Sequence, residues 1–281
     1  MKRHLFNTFS CFMPGFTDMI WLLIFFLVGL LLGGILIVVL QVLTSTDFVM
    51  TYGTMITYPL QFIPMMLYAS VASRRNQGFE KEVPLDRCSF GGRKGWSMAL
   101  MVSVMMIAAA FVIEPVSMLL PEMSEAVKKT MEMLLNGPVW IVLISVSVFA
   151  PIFEEWLCRG IILRGLLKKV SPAWAIIISS LIFGLIHMNL WQAIPAFLIG
   201  VLLGYVYYKT GSLKLTLLMH CVNNTLSVIL TRIPGLEDVE FFADIMSPWA
   251  YVTVVILFAI TLAGGIAALA PLQTPFNKED L

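Results

Sequence analysis

The sequence predicts an all-α fold: a polytopic bundle of about eight transmembrane helices, forming a single membrane domain over residues 1–281. Three observations predict it. Of the 281 residues, 59% are hydrophobic and the mean hydropathy is +0.90. Only 12% are charged, where a soluble domain would carry about a quarter. Apolar runs long enough to span a bilayer alternate with short polar segments, and the basic residues gather in every second one. No basic arm and no basic–aromatic stripe supports a nucleic-acid role. The four cysteines (Cys11, Cys88, Cys158, Cys221) lack metal-type spacing and are expected to be free thiols.

The elements follow in order. Residues 20–43 outrun the apolar core of a signal peptide and lack a cleavage pattern, so they read as an uncleaved first span. Gly29 and Gly33 in it are spaced for close helix packing. A second span, 48–73, is interrupted by Pro59 and Pro64; the polar, basic segment 74–95 follows. Span three is 96–120, with Glu114 near its far end, and 121–137 reads as a polar loop. Span four starts near Pro138 and runs to the basic cluster Arg164, Lys168, Lys169. Span five is 172–188, span six 191–208 with Gly200 and Gly204 spaced for packing, span seven 213–230 and span eight 249–269. An acidic loop with Glu237, Asp238, Glu240 and Asp244 separates the last two.

Eight spans place both termini on one side. Of the 18 Lys and Arg residues, Lys128, Lys129 and Arg232 fall on the opposite side and Arg159 lies within a span; the other 14 share the side of the termini. The positive-inside rule makes that side cytoplasmic. The expected location is an integral, multi-pass membrane protein, in the plasma (inner) membrane if the source is bacterial. Six of seven tryptophans fall near span starts, as an interfacial belt should; the exception is Trp156.

Trp156 belongs to the stretch the chain is organised around, Phe153-Glu154-Glu155-Trp156-Leu157-Cys158-Arg159. Ionisable side chains at bilayer depth cost several kcal/mol unless paired or wetted, which makes them functional candidates. On a helix Glu155 and Arg159 are i,i+4 neighbours with the acid first, the favourable order for an ion pair. Glu154 points about 100° away and has no such partner. Two further spans carry polar groups: Phe183 and His187 in span five, and His220 and Asn224 in span seven, each pair four residues apart. The third histidine, His4, is in the N-terminal tail. Taken singly, each reads as well as packing or interhelical glue. Taken together they suit hydrolysis of an amide. A carboxylate in a partly wetted apolar cavity serves as general base, an imidazole beside it orients the water, and a His–Asn pair donates to the oxyanion. Glu154, His187 and His220 could equally hold zinc, although no HExxH motif is present.

The series Glu154-Glu155-x-x-x-Arg159, Phe183-x-x-x-His187 and His220-x-x-x-Asn224 resembles the three motifs of the CPBP (Abi) intramembrane peptidases, the family of CAAX proteases and bacteriocin-processing enzymes. The motifs match in order and residue type over 153–224; the remaining spans match only as membrane helices. The resemblance implies a glutamate-type intramembrane endopeptidase with its catalytic core in 138–231. By motif position Glu154 is the water-activating base and His187 its partner, His220 and Asn224 stabilise the oxyanion, and Glu155, Arg159 and Phe183 support them. No cofactor is favoured, because Asn224 is a poor zinc ligand and a good oxyanion donor; zinc is the alternative. The implied partners are a membrane-associated peptide or protein substrate and the lipid bilayer.

Two other functions use the same residues. A proton-coupled transporter would use Glu154 and the histidines as a relay, although no internal repeat relates the two halves. A non-catalytic immunity or scaffold protein would keep the motifs without the chemistry. One geometric tension stands out. Glu154 and His187 lie about 21 and 22 Å from the basic ends of their helices, but His220 lies only about 9 Å from Lys214. A segment 209–216 that dips into the bilayer, hinged at Gly211, would reconcile them. It would also make that segment the cytoplasmic mouth of the cavity.

Overall fold

The computed structural model describes residues 7–135, 137–236, 239 and 241–277. His4 and most of the acidic loop (Glu237, Asp238, Glu240) lie outside the described residues. The helices are α1 (Phe16–Leu43), α2 (Thr46–Asn76), α3 (Gly95–Ser117), α4 (Glu125–Leu135), α5 (Val139–Leu167), α6 (Pro172–Leu185), α7 (Leu190–Thr210), α8 (Leu213–Leu230) and α9 (Pro248–Leu269). Seven of them, all but α4 and α6, are long and apolar enough to cross a membrane. The chain is an integral, multi-pass membrane protein with an all-helical bundle.

The expected elements are corrected in three places. The span 172–188 is instead the 14-residue α6, about 21 Å long against a hydrocarbon core of about 30 Å. It ends at Leu185 in a turn where Met188 takes positive φ and Asn189 caps α7 by accepting from the Gln192 N–H. His187 therefore sits in the turn of an α6–α7 hairpin, not inside a helix. The hairpin packs closely, as the glycine spacing predicts: a Cβ on Gly200 would press on Ser180, and one on Gly204 on Ile176. The segment 121–137 is not simply a loop, since α4 fills most of it. Val127, Met131 and Leu134 fall at i, i+4 and i+7 there, an apolar stripe on a polar helix. Finally, α2 runs unbroken through Pro59 and Pro64.

Basic segments meet at one end of the bundle: Lys168 pairs with Glu80, Arg93 donates to the Ala268 carbonyl and Lys209 to the Ala270 carbonyl. Buried Arg164 organises this end. Far from being a solvated cation, it donates to the carbonyls of Phe9 (3.1 Å), Phe12 (2.9 Å) and Val83, tying the N-terminal segment and the 77–94 connection to α5. The Tyr207 hydroxyl donates to the Leu85 carbonyl, and the Tyr207 ring packs on Phe276. Gly211 has the positive φ (+64°) expected of it, but as the cap of α7 and not as the hinge of a cavity mouth. Its carbonyl accepts from the Arg87 N–H, and a Cβ there would collide with Arg87 and Pro275. Thr210, Gly211 and Ser212 are buried under the 77–94 connection and the C-terminal segment. The expected cytoplasmic mouth at 209–216 is thus a sealed turn.

Candidate active site

The local structure of α5 sets the site. Two stretches, Leu143–Phe149 and Trp156–Leu163, are wound as π-helix, with hydrogen bonds to i−5. Pro151 follows the first stretch and has no N–H. In π register that missing donor would have reached Val146, whose carbonyl is therefore released. Asn224 of α8 fills the gap, its Nδ2 donating to Val146 O at 2.8 Å. One Asn224 N–H remains for another acceptor, and its Oδ1 accepts from Asn223 Nδ2 at 3.1 Å. The wide turns also shorten α5, which eases the depth mismatch that uniform α-helical rise suggests.

Between the two π stretches sit Glu154 and Glu155, both buried. Their surroundings differ as the helical spacing predicts. Glu155 Oε1 accepts from Arg159 Nη1 at 2.7 Å, with both side chains fully buried. Arg159 Nη2 donates to the Gly200 carbonyl at 2.9 Å, and its guanidinium carbon lies 4.5 Å from the centroid of the Phe183 ring, a cation–π contact. The same Glu155 oxygen lies 3.1 Å from His220 Nδ1.

Glu154 faces the other way. Its Oε1 accepts from the Tyr58 hydroxyl of α2. Its Oε2 has no hydrogen-bond partner and lies 3.7 Å from His220 Nε2. His220 thus bridges the two carboxylates, one at each ring nitrogen. This departs from the expected pairing, in which His187 was the partner of Glu154. His187 stands beyond the Phe183 ring, which makes edge-on contacts with both imidazoles at 5.3 and 5.4 Å. His187 Nδ1–H donates to the Phe183 carbonyl at 2.8 Å, leaving Nε2 as an acceptor.

Glu154, His187, His220 and Asn224 line one cavity of about 490 Å³. Its walls are α2 (Thr54, Tyr58, Gln61), α5, α8, the start of α7 (Trp191, Gln192) and the apolar face of α4 (Met131, Leu134, Leu135). No residue of 209–216 or of the basic connections lines it; its outer residues belong to the opposite end of the bundle. Among the described residues no three His, Cys, Asp or Glu side chains are grouped as a metal ion would need. Sequence reasoning missed Tyr58 and Asn223. The Asn223-Asn224 doublet was in view, and Thr54, Tyr58 and Gln61 at i, i+4 and i+7 form a polar stripe on an apolar helix.

Comparison with known proteins points to the same segment. A family model described as type II CAAX prenyl endopeptidase Rce1-like matches residues 136–226. YdiL of Bacillus subtilis (strain 168), a protein named as a candidate membrane peptidase, is 31% identical over 94 residues, covering 34% of this chain and 38% of that one. The chain is thus matched over less than half the length of this curated relative. No solved structure matches it. The segment that carries the three motifs on α5, α6–α7 and α8 is thus the segment that is similar to CAAX-prenyl-endopeptidase-like membrane peptidases.

Proposed function

We propose that the protein is an intramembrane endopeptidase, hydrolysing a peptide bond of a membrane-associated protein or peptide with water activated by Glu154. One observation carries the reading: a buried carboxylate oxygen, Glu154 Oε2, is free of protein hydrogen bonds and stands beside His220 at the wall of a cavity. Glu155 is paired with Arg159 and does not line the cavity, so Glu154 is the carboxylate presented to it.

The water oxygen bonds to the substrate carbonyl carbon while Glu154 Oε2 takes one of its protons. His187 Nε2 accepts the other hydrogen of that water and orients it. His220 faces a carboxylate oxygen at each ring nitrogen, Glu155 at Nδ1 and Glu154 at Nε2, which places both nitrogens to act as donors. His220 Nε2–H and the remaining Asn224 N–H then donate to the developing oxyanion. The C–N bond breaks as Glu154 returns its proton to the leaving nitrogen. The products are a carboxylic acid and an amine, and Glu154 is again a carboxylate. No metal enters these steps.

The test is mass spectrometry of membrane-protein termini from cells expressing the wild type or Glu154→Gln. New termini that vanish in the variant support the reading. Identical termini in both, with the variant present at normal levels, would remove it.

A further inference from the structure

The motifs account for α5, the α6–α7 hairpin and α8, but two walls of the cavity, α2 and α4, belong to none of them. Of these two, α2 reaches the motif itself: its Tyr58 hydroxyl donates to Glu154 Oε1. A tyrosine inside a membrane bundle must place its hydroxyl somewhere, so one hydrogen bond could be simple satisfaction. Two features argue for more. The partner is the cavity-lining carboxylate, for which the Tyr58 hydroxyl is the sole hydrogen-bond donor among the described residues. The contact is also held in register: Tyr58 packs on Phe62 at 5.6 Å, and Phe62 stacks at 5.3 Å on Phe153, the residue before Glu154. The α2 and α5 backbones are thereby fixed against each other one turn from the bond.

We propose that Tyr58 is a positioning residue for the reaction, holding Glu154 through Oε1 so that Oε2 is the oxygen presented to water beside His220. The proposal rests on the endopeptidase reading. A carboxylate on a two-bond stem has several rotamers. Without the phenol, Oε1 and Oε2 become interchangeable and the carboxylate turns freely toward the cavity. The ring itself contributes wall, so removing only the hydroxyl isolates the effect.

The experiment uses the full-length protein in proteoliposomes with a synthetic peptide that spans a Glu154-dependent cut. Tyr58→Phe is expected to lower kcat about tenfold or more, the weight of one hydrogen bond to a charged group. KM should stay within about twofold, because the ring that shapes the cavity remains. A second readout does not need turnover: the infrared carboxylate band that disappears in Glu154→Gln should shift in Tyr58→Phe. An unchanged kcat, a loss confined to KM, or an unmoved band would each overturn the role of Tyr58 while leaving Glu154 as base. If Glu154→Gln cleaves the peptide as fast as the wild type, the endopeptidase reading itself fails.

Discussion

The two ends of the bundle handle buried polarity in opposite ways. At the basic end, Arg164 spends its donors on three carbonyls of neighbouring segments, and Tyr207, Arg87 and Ser89 close the remaining gaps with backbone bonds. These bonds stitch the connections into a cap over the helices. Toward the other end, polar side chains from α2, α5, α7 and α8 face a cavity, and Glu154 keeps one oxygen without a partner. A buried polar group without a hydrogen bond costs about 1–3 kcal/mol or more, so such a group persists where it is used. Buried polarity at the basic end ties segments together, whereas at the cavity the carboxylate of Glu154 keeps an oxygen at the wall of an open space. Arg159 stands between the two regimes, bound to Glu155 on one side and resting on Phe183 on the other.

The contrast can be broken at several points. Glu154→Gln should remove cleavage by about a thousandfold or more, the upper range for a general base, with normal expression; the appearance of new termini is the readout. Asn224→Ala should cost about a hundredfold in kcat if its free N–H serves the oxyanion. A drop in stability without loss of rate per folded molecule would reduce Asn224 to a plug for the Val146 carbonyl. Arg164→Met leaves three buried carbonyls without their donor and should lower stability by about 2–5 kcal/mol, read as the melting midpoint in detergent. Cleavage per folded molecule should be unchanged. The smallest effect belongs to the exposed Lys168–Glu80 pair (2.6 Å), where Glu80→Gln should cost under about 1 kcal/mol and less at high salt.

Much of this was legible in the sequence, and the rest was hidden for physical reasons. The membrane class, the helix positions and the pairing of Glu155 with Arg159 follow from hydropathy and i,i+4 spacing, both local. So does the gathering of the basic segments, which a span count predicts. The partner of Glu154 was not local: Tyr58 is 96 residues away on another helix, and only packing brings it near. His220 displaced His187 beside Glu154 because α6 ends early, which its apolar composition does not announce. The cavity was expected near Lys214 on the strength of helical rise alone. That arithmetic assumed uniform α-helix and could not foresee the π stretches of α5 or the loop lying over Gly211. The helix α4 was overlooked because its charges outweigh its stripe of three apolar residues.

Two adjacent carboxylates, Glu154 and Glu155, divide the labour, and one measurement addresses that division directly. Thermal unfolding of Glu154→Gln and Glu155→Gln should be followed side by side in the same detergent, with cleavage assayed on the folded fractions. Glu154→Gln should melt within about 1 kcal/mol of the wild type and be inactive, because glutamine still accepts the Tyr58 bond. Glu155→Gln should lose about 3–5 kcal/mol, because it leaves the Arg159 guanidinium buried without its counter-charge. A Glu154→Gln protein that melts early and a Glu155→Gln protein that melts like the wild type would contradict the assignment.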